Sequence, residues 1–197
     1  MRMFRIGMMF VVLAAAVPCL AFSASGALAF TPWGAVYEVA RDERSLADIT
    51  ADKEKVTEIK SALVKKDGKL GLAVKTYCFL GRVTLLGQLD DEAFQSFAVA
   101  TAKKTKGVKD VATYWEKPGK EGTTTADLEI AAKLRTALVG DKALSSTQIE
   151  TEVFGGKVYL LGMVRSHRDA ERAVAHAKAV KGVTGVTSLL IPPKARK

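Results

Sequence analysis

The stretch Gly156-Lys157-Val158-Tyr159-Leu160-Leu161-Gly162 decides the fold, because it occurs twice in the chain. The earlier copy is Gly81-Arg82-Val83-Thr84-Leu85-Leu86-Gly87, which lies 75 residues upstream (156 − 81 = 75). The same offset continues without a gap between residues 52–113 and 127–188, and about a third of these paired positions are identical. A fixed-period repeat of this length indicates two copies of one small folding unit.

Hydrophobic periodicity predicts the elements of the first copy. Residues 52–66 have helical spacing, residues 72–79 alternate as in a strand, and residues 83–87 form the second strand of a hairpin. A helix that ends at Gly107 and a strand over residues 108–115 complete the unit. A right-handed crossover through that helix sets the third strand parallel to the second. We therefore predict the fold class α+β, with two tandem α-β-β-α-β units, each a three-stranded mixed sheet covered by two helices.

The second copy repeats this order and places its glycines at the same positions. Its predicted elements are helix 126–139, strands 148–154 and 157–163, helix 166–181 and strand 183–191. The structural glycines of the two units are Gly81, Gly87, Gly107, Gly156, Gly162 and Gly182. In each unit the first permits the hairpin turn, the second lets a helix approach the strand closely, and the third ends the second helix. None lies in a phosphate-cradling strand–loop–helix arrangement, so the motif does not indicate nucleotide binding.

The N-terminal region has the pattern of a secretory signal peptide. Arg2 and Arg5 precede an apolar run over residues 6–20, and Ala27-Leu28-Ala29 fits a small-x-small cleavage site. An uncleaved N-terminal anchor is the alternative. The resulting division of the chain is a signal peptide at 1–29, an N-terminal linker at 30–50, a first domain at 51–116, a linker at 117–125, a second domain at 126–192 and a basic tail at 193–197.

The two cysteines have different predicted fates. Val17 and Pro18 precede Cys19 and fit a lipoprotein acylation site badly, so we expect Cys19 to be removed with the leader and not to anchor the protein. Cys78 occupies the position of Val153 in the repeat, so we expect a small buried side chain. A reactive thiol is the alternative. One mature cysteine excludes an internal disulfide.

The charge balance favours anionic partners. The full chain carries a formal charge of +9, and removal of two leader arginines leaves +7 (9 − 2). For an exported protein this charge favours anionic lipid headgroups, cell-wall polymers or acidic proteins over nucleic acid. Because units of this size bury little core, we also expect the two domains to pack on each other or on a partner.

Cationic side chains form two groups that could contact an anionic membrane. The first, around the first helix, consists of Lys53, Lys55, Lys60, Lys65, Lys66 and Lys69. The second, which we predict as the lipid contact, consists of Arg165, Arg168 and Arg172 with Lys133 and Arg135 nearby in the repeat scheme. Each cation near an anionic membrane contributes about 1 kcal/mol. A solvated helix face is the alternative for any one of them. Trp33 and Tyr37 could lie at a membrane interface or dock on the adjacent domain.

Catalytic and metal-binding patterns are missing from the sequence. His167 and His176 are nine residues apart on one predicted helix, so they face opposite sides, cannot share a metal and are expected to be solvated. No Cys/His cluster has ligand spacing, and helix capping explains the carboxylates at residues 90–92. We therefore predict a non-enzymatic protein without a cofactor or metal.

The repeat resembles the BON domain family. The matching residues of the second unit are Gly156, Val158, Leu160, Gly162, Ala173, Ala177, Val180, Lys181, Gly182, Val183 and Val186. Those of the first are Gly81, Val83, Leu85, Gly87, Ala98, Ala102, Gly107, Val108 and Val111. Two such domains behind a signal peptide resemble exported, osmotically inducible members and dual-domain outer-membrane lipoproteins. The resemblance implies a periplasmic protein, peripheral to the outer membrane, that binds phospholipid surfaces and supports the envelope under osmotic stress. A periplasmic adaptor that binds envelope proteins without lipid affinity is the alternative.

Overall fold

The computed structural model describes residues 44–119, 123–144 and 148–193. The predicted signal peptide, Cys19, the linker as far as residue 43, and residues 194–197 of the basic tail lie outside the described residues. Within them, both units contain the predicted order of helix, strand, strand, helix and strand, and the first unit has one additional short helix. The α+β fold class with two tandem mixed sheets is therefore confirmed.

The two units have closely similar elements. The first contains α1 (Leu46–Lys66), α2 (Gly68–Ala73), β1 (Lys75–Phe79), β2 (Arg82–Gln88), α3 (Glu92–Lys104) and β3 (Asp110–Glu116). The second contains α4 (Thr123–Gly140), β4 (Ile149–Phe154), β5 (Lys157–Met163), α5 (His167–Ala179) and β6 (Gly185–Ile191). In each sheet the first two strands are antiparallel and the last two are parallel, as the crossover predicts.

Side-chain caps fix several helix starts. Asp91 accepts a hydrogen bond from the Phe94 amide at the start of α3, and Ser166 accepts one from the Asp169 amide at the start of α5. Both caps were predicted. A third cap, Ser45, starts α1 six residues before the predicted position, inside the stretch assigned to the linker.

A short helix occupies part of the predicted first strand. Residues 72 and 73 belong to α2, and β1 begins only at Lys75. Asp67 caps α2 by accepting from the Leu70 amide. Gly71 makes the close packing possible, since a Cβ there would lie 2.6 Å from the backbone of Leu63 in α1. The alternation of residues 72–74 was therefore a misleading signal for a strand.

The second motif glycine of each unit admits a close approach of backbone. Gly87 lies against the end of a helix, since a Cβ would be 2.9 Å from the Ala73 carbonyl oxygen. At Gly162, which has a φ of 129°, the Cβ would be 2.0 Å from the carbonyl oxygen of Gln148, the residue that precedes β4. Both glycines thus admit the chain segment that leads into the neighbouring antiparallel strand.

Each unit has its own core between its helices and one face of its sheet. The buried residues of the first core are Ile59, Leu63, Val74, Cys78, Val83, Leu85, Leu89, Phe94, Ala98 and Ala102. Those of the second are Ile130, Leu134, Leu138, Leu144, Ile149, Val158, Leu160, Val164, Ala173 and Ala177. Most of these residues are partners at the 75-residue offset, so the repeat is a repeat of core positions.

A third cluster joins the opposite faces of the two sheets. Its buried members are Leu86, Tyr159 and Leu161, and the partly buried residues against them are Tyr77, Phe79, Tyr114, Phe154 and Leu189. Leu86 and Leu161 are equivalent in the repeat, and so are Phe79 and Phe154. The Tyr77 hydroxyl donates to Glu152 Oε1 at 2.5 Å, and these two residues are also 75 apart. Contacts between equivalent positions are the pattern of a two-fold interface. The expected packing of the two domains on each other is thus present in the structure.

Candidate functional site

A buried aspartate holds the hairpin turn of each unit. Asp52 accepts hydrogen bonds from the amides of Leu80 (2.7 Å) and Gly81 (2.9 Å). Asp127, its repeat equivalent, accepts from the corresponding amides of Gly155 and Gly156, both at 2.8 Å. Each carboxylate links the first helix of a unit to its hairpin turn. Sequence reasoning missed this role, although the retention of aspartate at both ends of the 75-residue offset was a visible signal.

Cys78 lies beside the first of these carboxylates. Its side chain is buried, as predicted, and the Sγ donates to Asp52 Oδ1 at 3.2 Å. Burial and the adjacent carboxylate raise the pKa of the Cys78 thiol to about 12, which disfavours the reactive thiolate. Burial alone would raise the pKa of Asp52, but the two backbone amides, Cys78 and Arg44 outweigh it and lower that pKa. The pair is a structural cluster.

Arg172 and His176 of α5 converge on one carboxylate just beyond α4. The Arg172 guanidinium donates to both oxygens of Asp141 at 2.8–3.1 Å, and His176 Nε2 lies 2.9 Å from Asp141 Oδ2. The hydrogen bonds from His176 and Arg172 lower the pKa of Asp141 to about 2. The predicted solvated state of His176 is therefore wrong, since its ring is half-buried against this carboxylate.

The other four predicted lipid-contact residues lie at two places on the second unit. Arg165 donates to the Ala143 carbonyl at 3.0 Å, whereas Arg168 is exposed in the first turn of α5. On α4, Lys133 pairs with Glu129 at 2.6 Å and Arg135 is exposed. Both α4 and α5 cover the same face of their sheet, but Lys133 and Arg135 are two positions apart on α4 and therefore lie on opposite flanks of that helix.

The lysines of the first unit are less available than the sequence suggested. Lys60 Nζ donates to the carbonyls of Gly71, Leu72 and Val74, which fastens α2 to α1. Lys55 Nζ donates to the Ala51 carbonyl. At least these two members of the first basic group therefore have structural roles.

An exposed apolar stripe on α4 was not predicted. Leu128 and Val139 are 66% and 62% exposed. With about 100° per residue, they lie with Ala132 and Arg135 inside an arc of about 60° on the helix. The equivalent positions of α1 are Lys53, Thr57, Lys60 and Val64. A search for a second apolar face on α4, set against this polar counterpart, could have found the stripe.

A cleft of about 510 Å³ lies where α1 and β1 meet the start of β4. Ile49, Val56, Phe79 and Met163 supply its apolar lining. Two of its charged lining residues form an ion pair, in which Arg44 binds Asp52 at 3.0 Å. The cleft does not contain a grouping of side chains with an evident catalytic role.

Two absences, of metal sites and of membrane-spanning helices, hold for the described part of the chain. There, no group of three or more His, Cys, Asp or Glu side chains could hold a metal ion. Among the same residues, no helix is both long and apolar enough to cross a membrane.

Comparison with known proteins identifies the family. The sequence model of the BON domain matches residues 51–114 and 126–191. This chain belongs to the BON family. Osmotically-inducible protein Y of Escherichia coli K12 is 30% identical over 133 residues, which cover 66% of this tandem BON protein and 66% of that relative. The chain thus spans slightly less than two thirds of that relative's length.

More distant similarities add little. An uncharacterized protein encoded in the gshII 5′ region of Anaplasma centrale is 29% identical over 111 residues, 55% of this chain and 74% of that one. The C-terminal domain of CdsD, a structural protein of the type III secretion system of Chlamydia trachomatis, has 14% identity and a TM-score of 0.29. That match covers 72% of this BON protein and 67% of CdsD, and the likeness is too distant to bear on function.

Proposed function

We propose that this tandem BON protein is exported to the periplasm, where the outward face of α4 binds anionic phospholipid surfaces and supports the envelope under osmotic stress. The observation that carries the proposal is the exposed stripe of Leu128, Ala132, Arg135 and Val139. Exposed apolar side chains beside cations suit the boundary between acyl chains and anionic headgroups. The similarity to an osmotically inducible protein supports the stress component.

The expected affinity is modest. Full burial of a leucine or valine side chain contributes about 1.5–3 kcal/mol, so Leu128 and Val139, already one third covered, would supply about 2–4 kcal/mol together. Arg135 and Arg168, each unpaired with the described carboxylates, would add about 1 kcal/mol apiece near an anionic surface. The gross sum of about 4–6 kcal/mol corresponds to weak binding that salt should reduce.

The five predicted lipid-contact residues have different roles in this proposal. Arg135 and Arg168 contact headgroups directly, whereas Lys133, about 160° from Arg135 around α4, stays paired with Glu129 outside the contact. Arg172 holds the end of α4 against α5 through Asp141, and Arg165 supports the same loop through Ala143. Substitution of Arg172 should therefore change stability more than lipid affinity.

Vesicle flotation of the mature chain tests the lipid component. We expect binding to vesicles that contain phosphatidylglycerol and none to phosphatidylcholine vesicles, with a loss as salt rises. The double variant Leu128→Asn with Val139→Asn should lose binding. A matched control is Leu72→Asn, since Leu72 is 65% exposed but belongs to the first unit. Arg135→Glu should also weaken binding, whereas Lys65→Glu should not.

Two results would refute the proposal. The first is an intact mature chain that ignores anionic vesicles at low salt. The second is equal loss of binding in the Leu72 control, which would point to general apolar adhesion. Export is tested separately by cell fractionation and by mass spectrometry of the periplasmic protein, for which Phe30 is the expected first residue.

A further inference from the structure

Among the described residues, each sheet has an edge strand, β3 or β6, whose outer backbone groups have no partner strand. β6 pairs with β5 alone among the described strands, as β3 pairs with β2. The Ile191 carbonyl accepts from Val164 on the β5 side. Because successive strand residues point their backbone groups to opposite sides, those of Val186, Ser188 and Leu190 point to the open edge.

A groove lies beside each of these edge strands. The groove beside β6 has a volume of about 300 Å³ and is lined by His167, Ala170, Glu171 and Val174 of α5 and by Ser188 of β6. Beside β3 an equivalent groove of about 390 Å³ has Gln95 and Val99 at the same repeat positions.

The two edges differ in their protection. Edge strands of folded proteins commonly carry charges or proline, which prevent another strand from pairing with them. β3 has an acidic residue at each end, Asp110 and Glu116. β6, with the sequence Gly-Val-Thr-Ser-Leu-Leu-Ile, has neither a charge nor a proline. The second unit therefore presents an open edge on an uncharged strand, with a groove between this strand and α5.

We propose that the β6 edge binds an extended segment of a partner protein as a fourth strand of the second sheet. Six outward backbone groups, from Val186, Ser188 and Leu190, would form the ladder. Every second side chain of the bound segment would enter the groove under α5. The groove lining, with Ala170 and Val174 beside His167 and Glu171, favours small or apolar residues at these alternate positions. This site shares no residue with the α4 stripe, so it goes beyond the proposed lipid contact.

The test uses a panel of fluorescent, end-capped seven-residue peptides in which Val, Leu, Phe or Tyr alternates with Thr or Lys. Fluorescence anisotropy with the mature chain should show saturable binding by at least one member, with a Kd of about 1 mM or tighter. The same peptide with its ladder-forming amides N-methylated should bind at least about tenfold more weakly, because it cannot donate to the edge.

Two matched variants locate the site. Ser188→Pro should weaken peptide binding at least about tenfold, since the Ser188 amide points outward and its loss removes no internal ladder bond. Thr113→Pro, the equivalent change on β3, should leave binding unchanged. Ser188→Lys is a second variant that keeps the backbone and places a charge in the groove. Circular dichroism and anionic-vesicle flotation should be unchanged in both Ser188 variants, which separates this site from the lipid contact.

The following results would overturn the proposal. The panel could show no saturable binding, or binding could survive both N-methylation and Ser188→Lys. Alternatively, sedimentation velocity could show a dimer of the mature chain that Ser188→Lys dissociates. In that case a second copy of the chain, and not a partner protein, occupies the β6 edge.

Discussion

Removal of the Asp127 carboxylate should destabilise the second unit by a predictable amount. In Asp127→Ala, the amides of Gly155 and Gly156 lose their acceptors. The Gly156 amide is buried and would stay unpaired, at a cost of about 1–3 kcal/mol, whereas water can reach the partly buried Gly155 amide, at about 1 kcal/mol. The expected loss is therefore about 2–4 kcal/mol. Asp127→Asn should lose about half as much, because its single carbonyl oxygen keeps one of the two bonds.

Urea unfolding followed by far-UV circular dichroism measures this loss. With a slope of about 2 kcal/mol/M, the transition midpoint of Asp127→Ala should fall by about 1–2 M. Tryptophan fluorescence in a Trp33→Phe background, where Trp115 alone reports the first unit, shows whether the packed units unfold together. Glu129→Ala on the same helix is the control, and its transition midpoint should stay close to that of the wild type because the pair is exposed. If Asp127→Ala matches this control, the assignment of a structural role to the buried carboxylate is wrong.

Three other changes probe the glycine of strand β5, the sheet interface and the loop after α4. Gly162→Ala should lower the free energy of unfolding by about 2–5 kcal/mol, through its positive φ and a clash with backbone, and more than Gly87→Ala in the same urea assay. Tyr77→Phe should lose about 0.5–1.5 kcal/mol of stability in that assay, because Glu152 loses a hydrogen bond across the interface. Asp141→Asn should destabilise the protein at neutral pH. The folded pKa of Asp141, lowered from 3.8 to about 2, means that its stabilisation is present above pH 4 and lost as pH falls towards 2. The unfolding curves of wild type and variant should therefore converge over that range.

The sequence predicted the features that lie inside each unit. The hairpin glycines, the caps at Asp91 and Ser166 and the core periodicity are local signals, and each is where the repeat placed it. The structure differs from the prediction where two local signals favour different elements. Alternation over residues 72–74 resembled a strand, but Asp67 and the close approach of Gly71 to α1 favoured a helix.

The candidate surfaces could be predicted only in part. A two-residue period separates the two faces of a strand but does not say what covers each face, so the alternation of residues 72–79 could not reveal that Tyr77 contacts Glu152 across the interface. Cations were found from charge alone, but their availability depends on neighbours distant in sequence. Asp141, which is 31 positions away in the sequence, binds Arg172, and the carbonyl groups of Gly71, Leu72 and Val74 bind Lys60.

The contact of Tyr77 with Glu152 shows what duplication within one chain makes possible. In a homodimer with a two-fold axis, a residue on that axis meets its own copy, so a tyrosine would face a tyrosine and a glutamate would face a glutamate. Here the two equivalent positions carry different residues, and a phenol donates to a carboxylate across the axis. Covalent linkage removes the requirement that one surface be complementary to itself. The same freedom has left α1 polar where α4 is apolar, so that one half of the molecule can specialise while the other preserves the fold.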